Sequence, residues 1–264
     1  MLVETGSQSS VPTLLAALDE CGVGPGELAS VVVTHIHLDH AGGVGDVAAA
    51  FPGARVYVHE LGARHLADPS RLVASAGQVY GDMLDSLYGR LEPTPADRIH
   101  VLADAEDIDV GGGRKLTAVH SPGHAKHHLA LHDSGSGLLF VGDAVGVRLP
   151  GVGVLRPATP PPDFDLDLAL SSLRRFADRR PTALALAHFG VLPDPPANVL
   201  EEADDALRQW AAVADAAWRS GGSVDEALEA AFGATHAQVE VLNGIHSNAA
   251  GLRRWLEKRQ PPER

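Results

Sequence analysis

The sequence of 264 residues has one cysteine, Cys21. No intramolecular disulfide can form, which suits a reducing cytoplasm. Basic residues are also scarce. Against 34 Asp and Glu there are 21 Lys and Arg, a formal net charge of −13. That field repels phosphate backbones and anionic lipid, so neither nucleic acid nor a membrane is an expected partner. No apolar run approaches transmembrane length. The start, Met1-Leu2-Val3-Glu4-Thr5-Gly6, has neither the basic nor the apolar segment of a signal peptide. These absences leave a cytoplasmic protein acting on a small molecule. Aromatic residues make up only 5%, while 45% hydrophobic and 21% charged residues are ordinary for a globular chain. The length allows one full core, alone or with a helical appendage. Cys21 falls in the apolar pattern of an early helix, so it is expected to be a buried thiol.

Short apolar runs alternate with helical patterns. Leu2-Val3-Glu4 reads as a strand. Ser10 and Pro12 open a helix through Glu20, and Gly22 stops it. Val31 to Val33 is a buried strand, Asp46 to Phe51 a short helix and Arg55 to Val58 a strand. Residues 60–98 are helical and irregular, and their Tyr80, Met83 and Tyr88 either wall a pocket or fill an insertion core. Strands follow at Ile108–Val110, Lys115–Val119, His128–His132 and Leu138–Val141, the first two joined by Gly111-Gly112-Gly113. Residues 146–162 form a long Gly- and Pro-rich loop, in which Arg148 and Arg156 are expected to be solvated charges, with binding of a substrate carboxylate as the alternative. After a helix at 166–177 and a strand at 183–187, helices are expected over 198–219, 223–232 and 235–258. Capping boxes at Ser223–Glu226 and Thr235–Gln238 open the last two.

The chemistry concentrates in Thr34-His35-Ile36-His37-Leu38-Asp39-His40-Ala41-Gly42-Gly43, directly after Val31-Val32-Val33. Three imidazoles and a carboxylate at the end of one strand have little structural use unless a cation holds them together. Three later stretches repeat a polar residue at an apolar strand's end: His120-Ser121-Pro122-Gly123-His124, Phe140-Val141-Gly142-Asp143 and Leu186-Ala187-His188. The other histidines, among them His59, His65, His100, His120, His127, His128, His132, His236 and His246, read as structural or surface residues.

His35-x-His37-x-Asp39-His40 resembles the HxHxDH signature of the metallo-β-lactamase-fold hydrolases, and the later stretches match that family's remaining motifs in order and spacing. The resemblance implies an α/β fold, a four-layer αβ/βα sandwich, over residues 1–195, with a C-terminal helical extension over 196–264. It implies a first metal on His35, His37, His124 and Asp143, and a second on Asp39, His40, His188 and Asp143, with Asp143 bridging. The cofactors implied are two divalent ions, zinc first, with iron or manganese as alternatives. In that family one or more strands precede the segment matching Leu2–Gly6. Here an N-terminal strand is therefore missing, or another element covers the sheet edge, and a homo-oligomer is one way to do so.

Such ions lower the pKa of bound water to roughly 7, so a hydroxide nucleophile is available without a Ser or Cys. Asp39 would help to orient it. The resemblance is to glyoxalase II and lactonase-like members, and implies attack on a thioester, lactone or related carboxylic ester. The alternatives are a mononuclear iron persulfide-dioxygenase-like oxidoreductase, a phosphodiesterase, which the acidic surface disfavours, and a non-catalytic metal-binding protein.

Overall fold

The computed structural model describes residues 1–151, 153–236 and 244–259. It divides into two compact units, Met1–Glu106 and Asp107–Arg264.

The first unit is built on a parallel sheet. Its strands are β1 (Leu2–Val3), β2 (Ser30–Val32), β3 (Arg55–His59) and β4 (Ile99–Leu102), side by side in that order. Parallel neighbours need long crossovers, and here these carry α1 (Val11–Glu20), α2 (Leu38–Ala41), α3 (Val44–Ala50), α4 (Glu60–Ala67), α5 (Ser70–Tyr80) and α6 (Leu84–Leu87). The β-branched run Val31–Val33 is wholly buried, and Val33 joins Ile36, Val56, Val58 and Leu66 in one apolar cluster. β4 was not legible in the sequence. It is an edge strand of mixed exposure, Ile-His-Val-Leu, without the alternation that marks a half-buried strand. His59 turns out to cap α4, accepting the Leu61 amide at 3.1 Å.

The second unit carries a mixed sheet of β5 (Asp107–Gly111), β6 (Arg114–His120), β7 (Leu129–Asp133), β8 (Leu138–Gly142), β9 (Ala183–Leu186) and β10 (Gly190–Val191), in spatial order β10-β9-β8-β7-β6-β5. All neighbours are antiparallel except β8 and β9. The helices are α7 (Leu166–Asp178), α8 (Pro196–Arg219), α9 (Val224–His236) and α10 (Ile245–Arg259). Asp165 caps α7 by accepting the Leu168 amide, and Ser223 accepts that of Glu226 as its capping box requires. Phe164, Phe176, Trp210, Leu228, Leu252 and Trp255 anchor the core these helices share with the sheet. The helix expected over 235–258 is observed over Ile245–Arg259; Thr235 and His236 end α9 rather than open a new helix, and the rest of the expected box and the segment after it, residues 237–243, lie outside the described residues. Two sheets flanked by helices, with further helices at the C-terminal end, are the α/β class expected. Among the described residues no helix is long and apolar enough to cross a membrane.

Two expectations are corrected. Cys21 is exposed. Helix α1 ends at Glu20, Cys21 is its C-cap, and Gly22 turns the chain at φ +77°, so the helical face that would have buried the thiol is not continued. Neither arginine of the 146–162 loop is solvated. Arg156 is fully buried, with its guanidinium 5.6 Å from the Trp210 ring centre, and Arg148 pairs with Asp194 at 3.0 Å and with Glu202.

The turn between β7 and β8 rests on buried Asp133. Its carboxylate accepts both forks of Arg114 at 2.7 and 2.5 Å, the Gly135 and Ser136 amides and the Ser136 hydroxyl. The Arg114 bond leads in holding this carboxyl well below the usual carboxylate range. A lowered folded pKa means that the stabilisation is complete above about pH 4 and is lost as pH falls through the folded value. Asp133→Asn is expected to cost about 2 kcal/mol in urea unfolding at pH 7, with the difference from wild type shrinking in acid.

Candidate metal centre

In the first unit the donors gather where β2 ends. The chain leaves Val32, runs through Thr34 and His35, and enters the single turn of α2, for which His37 is the extended N-cap. The expected open loop is therefore partly helical. His35 Nε2 lies 3.0 Å from His37 Nδ1, the two rings stand nearly perpendicular at 83°, and the His35 and His40 ring centres are 4.0 Å apart. His40 Nε2 faces Asp39 Oδ2 at 3.5 Å. His35 and His40 are buried, while His37 and Asp39 are half-buried, so each buried imidazole has a more open partner.

Glu4 was not recognised in the sequence, where Leu2-Val3-Glu4 read only as a strand. Its carboxylate accepts the Thr34 amide on Oε1 at 2.7 Å and the His40 Nδ1 proton on Oε2 at 3.0 Å. With Nδ1 protonated, His40 turns Nε2 toward Asp39, which is the carboxylate–imidazole–metal arrangement of a well-oriented ligand. The backbone holds Glu4 at φ +66°, a conformation that is uncommon for a residue with a Cβ. The next residue fastens the same loop, as Thr5 donates both its amide and its hydroxyl to the His40 carbonyl at 2.9 and 3.0 Å. Glu4→Gln keeps the shape and loses the charge. It is expected to weaken metal binding roughly 10- to 100-fold in a chelator competition, with thermal unfolding of the metal-free protein little changed.

In the second unit three donors stand at one end of the sheet. His124 follows β6, Asp143 directly follows β8, and His188 follows β9. The Asp143 carboxylate is straddled, with Oδ2 3.8 Å from His124 Nε2 and Oδ1 3.7 Å from His188 Nε2. The His124 tautomer is set by its Nδ1 proton, donated to the Ala158 carbonyl at 3.0 Å. His128, expected to be merely structural or solvent-facing, is fully buried and holds Asp143 in place. Its Nε2 accepts the Asp143 amide at 3.3 Å, which leaves Nδ1 as the donor to Ser121 Oγ at 2.8 Å.

The donor chemistry fits a divalent cation. Separations of 3.5–3.8 Å between ring nitrogen and carboxylate oxygen are too long for hydrogen bonds. Two ligands, each about 2.0–2.2 Å from one ion at near-tetrahedral angles, stand roughly 3.3–3.6 Å apart. Imidazole with carboxylate suits zinc, iron or manganese rather than calcium.

The sequence model of the Metallo-beta-lactamase superfamily matches residues 1–188, a span that contains both donor sets, and the chain belongs to that superfamily. Among curated relatives it is 32% identical over 167 residues to the metallo-beta-lactamase fold-containing protein ST1585 of Sulfurisphaera tokodaii, covering 61% of this chain and 60% of that protein. The crystal structure of ST1585 superposes with a TM-score of 0.66 at 26% identity, over 95% of this chain and 87% of that one. Hydroxyacylglutathione hydrolase of Aeromonas hydrophila is 31% identical over 61% of this chain and 47% of its own length. The human acyl-coenzyme A thioesterase MBLAC2 is 32% identical over 43% of this chain and 40% of its own length. In sequence the chain thus spans 60%, 47% and 40% of these three relatives.

Proposed function

We propose that the chain is a metal-dependent hydrolase of acyl esters, with acyl thioesters the first substrates to test and lactones or related carboxylic esters next. The observation that carries this reading is the Asp143 carboxylate, which offers one oxygen to each of two imidazoles. A carboxylate placed with a different imidazole facing each of its oxygens has the layout of a bridging ligand. In this reading His35, His37, His124 and Asp143 hold one divalent ion, and Asp39, His40, His188 and Asp143 hold a second. The hydrolase and thioesterase among the relatives support the ester class, and superfamily membership across residues 1–188 supports uniting the two donor sets.

When bound, such ions lower the pKa of a coordinated water to about 7 and polarise a carbonyl. The chain supplies the rest. Asp39, partly exposed beside His40 at 3.5 Å, would orient the attacking water. Glu4 and the Ala158 carbonyl keep the His40 and His124 protons on Nδ1, so that neither ring drifts to the wrong tautomer during turnover. Small-molecule substrates and an absence of nucleic-acid or membrane partners remain part of the proposal, resting on the charge of −13.

Elemental analysis of the purified protein, followed by a panel of thioesters, lactones, esters and phosphodiesters, tests it. About two zinc ions per chain with thioester or lactone turnover is the expected result. About one iron with oxygen uptake on a persulfide would overturn it in favour of the oxidoreductase, and silence across the panel would favour a binding protein.

A further inference from the structure

The C-terminal helix α10 reaches the second donor set through a single peptide group. The Ala158 carbonyl, which takes the His124 Nδ1 proton at 3.0 Å, belongs to the same planar amide as the Thr159 N–H. In a trans amide that N–H points the opposite way, and here it donates to Asn248 Oδ1 of α10 at 2.6 Å. One rigid plane therefore has His124 on one edge and Asn248 on the other. The Thr159 hydroxyl lies 2.9 Å from Asn248 Oδ1 and 3.1 Å from the Asn248 carbonyl, and Asn248 Nδ2 donates to the Gly244 carbonyl at 3.1 Å. Thr159 and Asn248 are both buried.

Position 248 falls in the buried stripe of α10, among Ile245, Ala249, Leu252 and Trp255. An apolar side chain would suit that stripe, and Asn is a poor helix former because its amide competes for backbone groups. Burying an amide costs stability unless its hydrogen bonds are met. Thr159 is placed to meet them. The helix backbone closes on the same residue, since a Cβ on Gly251 would stand 1.9 Å from the Thr159 carbonyl oxygen. Further along, Lys258 Nζ donates to the Pro162 carbonyl at 2.7 Å, and the Trp255 ring meets Phe164 edge-on with centres 6.4 Å apart. Helix α10 is thus seated along residues 159–164, and at Asn248 its side chain grips the amide that faces a donor.

We infer that Asn248 is a positioning residue for the proposed metal site: by fixing the plane of the amide between Ala158 and Thr159, it fixes the carbonyl that orients the His124 ring and keeps its proton on Nδ1, leaving Nε2 for a cation. The inference rests on the reading of His124 as a ligand, and on the α10 geometry for the residue. Hydrogen-bonded amides polarise one another, so the bond from Thr159 to Asn248 also strengthens the Ala158 carbonyl as an acceptor. Without it the plane is free to rotate. His124, whose Nε2 stands 3.8 Å from Asp143 Oδ2, then loses the contact that selects its tautomer. Helix α10 lies beyond residues 1–188, so a segment outside the span matched to the superfamily contributes to the metal centre.

The test compares Asn248→Leu, which removes the acceptor at similar volume, with Thr159→Val, which removes a buried hydroxyl from the same node but leaves the backbone amide of residue 159 on Asn248. Zinc affinity is measured by chelator competition. The His124 tautomer is read from imidazole nitrogen NMR shifts in the metal-free protein, at a pH where free imidazoles are neutral. Asn248→Leu is expected to weaken zinc binding about tenfold, and to bring the Nε2–H tautomer of His124 into the spectrum. Thr159→Val should leave both readouts as in wild type, although its melting temperature falls. Should Asn248→Leu not fold, Asn248→Ala is the milder variant, with the same two changes expected in smaller measure. Wild-type zinc affinity and a single Nδ1–H tautomer in the Asn248 variants would overturn the inference, even with lower melting temperatures, because that pattern marks a helix anchor only. An equal loss of zinc affinity in Thr159→Val would also overturn it, since the site would then be responding to the stability of the node. If wild type takes up no zinc, the ligand reading fails, while the His124 tautomer still decides the role of Asn248.

Discussion

Asp143→Ala should remove turnover, lowering kcat/KM by at least about a thousandfold, since the polarisation that bound ions supply is worth several kcal/mol in the transition state. The magnitude follows from the position of the side chain. Each carboxylate oxygen faces a different imidazole, at 3.8 Å for His124 and 3.7 Å for His188, so one truncation strips a ligand from each proposed ion. The fold should not follow. The loop is held through the Asp143 backbone amide on His128, which alanine keeps, and β8 and β9 stay paired up to Gly142. Far-UV circular dichroism should therefore match wild type while elemental analysis shows less than half the metal. A variant that keeps full activity without metal would sink the assignment.

The contrast between Asp143 and His128 shows what a sequence can carry. Asp143, His124 and His188 were legible because a polar residue ending an apolar strand stands out against its neighbours. His128 directly precedes β7 among other histidines, and its role depends on which backbone amide ends up 3.3 Å from its ring. Glu4 was illegible for a similar reason. Its partners Thr34 and His40 lie 30 and 36 positions away, and only the parallel pairing of β1 with β2 brings them together. The strands and helices that build the two sheets were mostly visible from their periodicity. Edge strands β4 and β10 were not, because short strands of mixed exposure carry no period. Arg156 was misread because composition favours an exposed arginine, whereas the indole of Trp210 and the close pairing of Val147 with Arg156 draw it inside.

The largest stability effect is expected at Gly123, one residue before the proposed metal ligand His124. Gly123 sits at φ +140°, where side chains are rarely tolerated, and a Cβ there would stand 2.4 Å from both the N and Cα atoms of Ala169. These are backbone atoms of α7, so no rotamer change relieves the clash. The helix is also tied to this turn, with the Asp165 amide donating to the Gly123 carbonyl at 2.9 Å and Ser172 Oγ donating to the Pro122 carbonyl at 2.7 Å. Gly123→Ala must therefore push α7 off the turn or twist the turn that presents His124. Strain and lost packing together are expected to cost about 3–5 kcal/mol, which at this size lowers the melting temperature by roughly 10 °C. The distortion should also weaken binding of the proposed divalent ion, because His124 follows directly. Gly112→Ala supplies the control. It shares a positive φ, +62°, but nothing lies within 4 Å of its Cβ, so only the backbone term of about 1 kcal/mol applies. If Gly123→Ala melts within about 2 °C of Gly112→Ala, then close approach of α7 is not what requires glycine in the Pro-Gly-His turn, and the turn owes its sequence to the metal ligand alone.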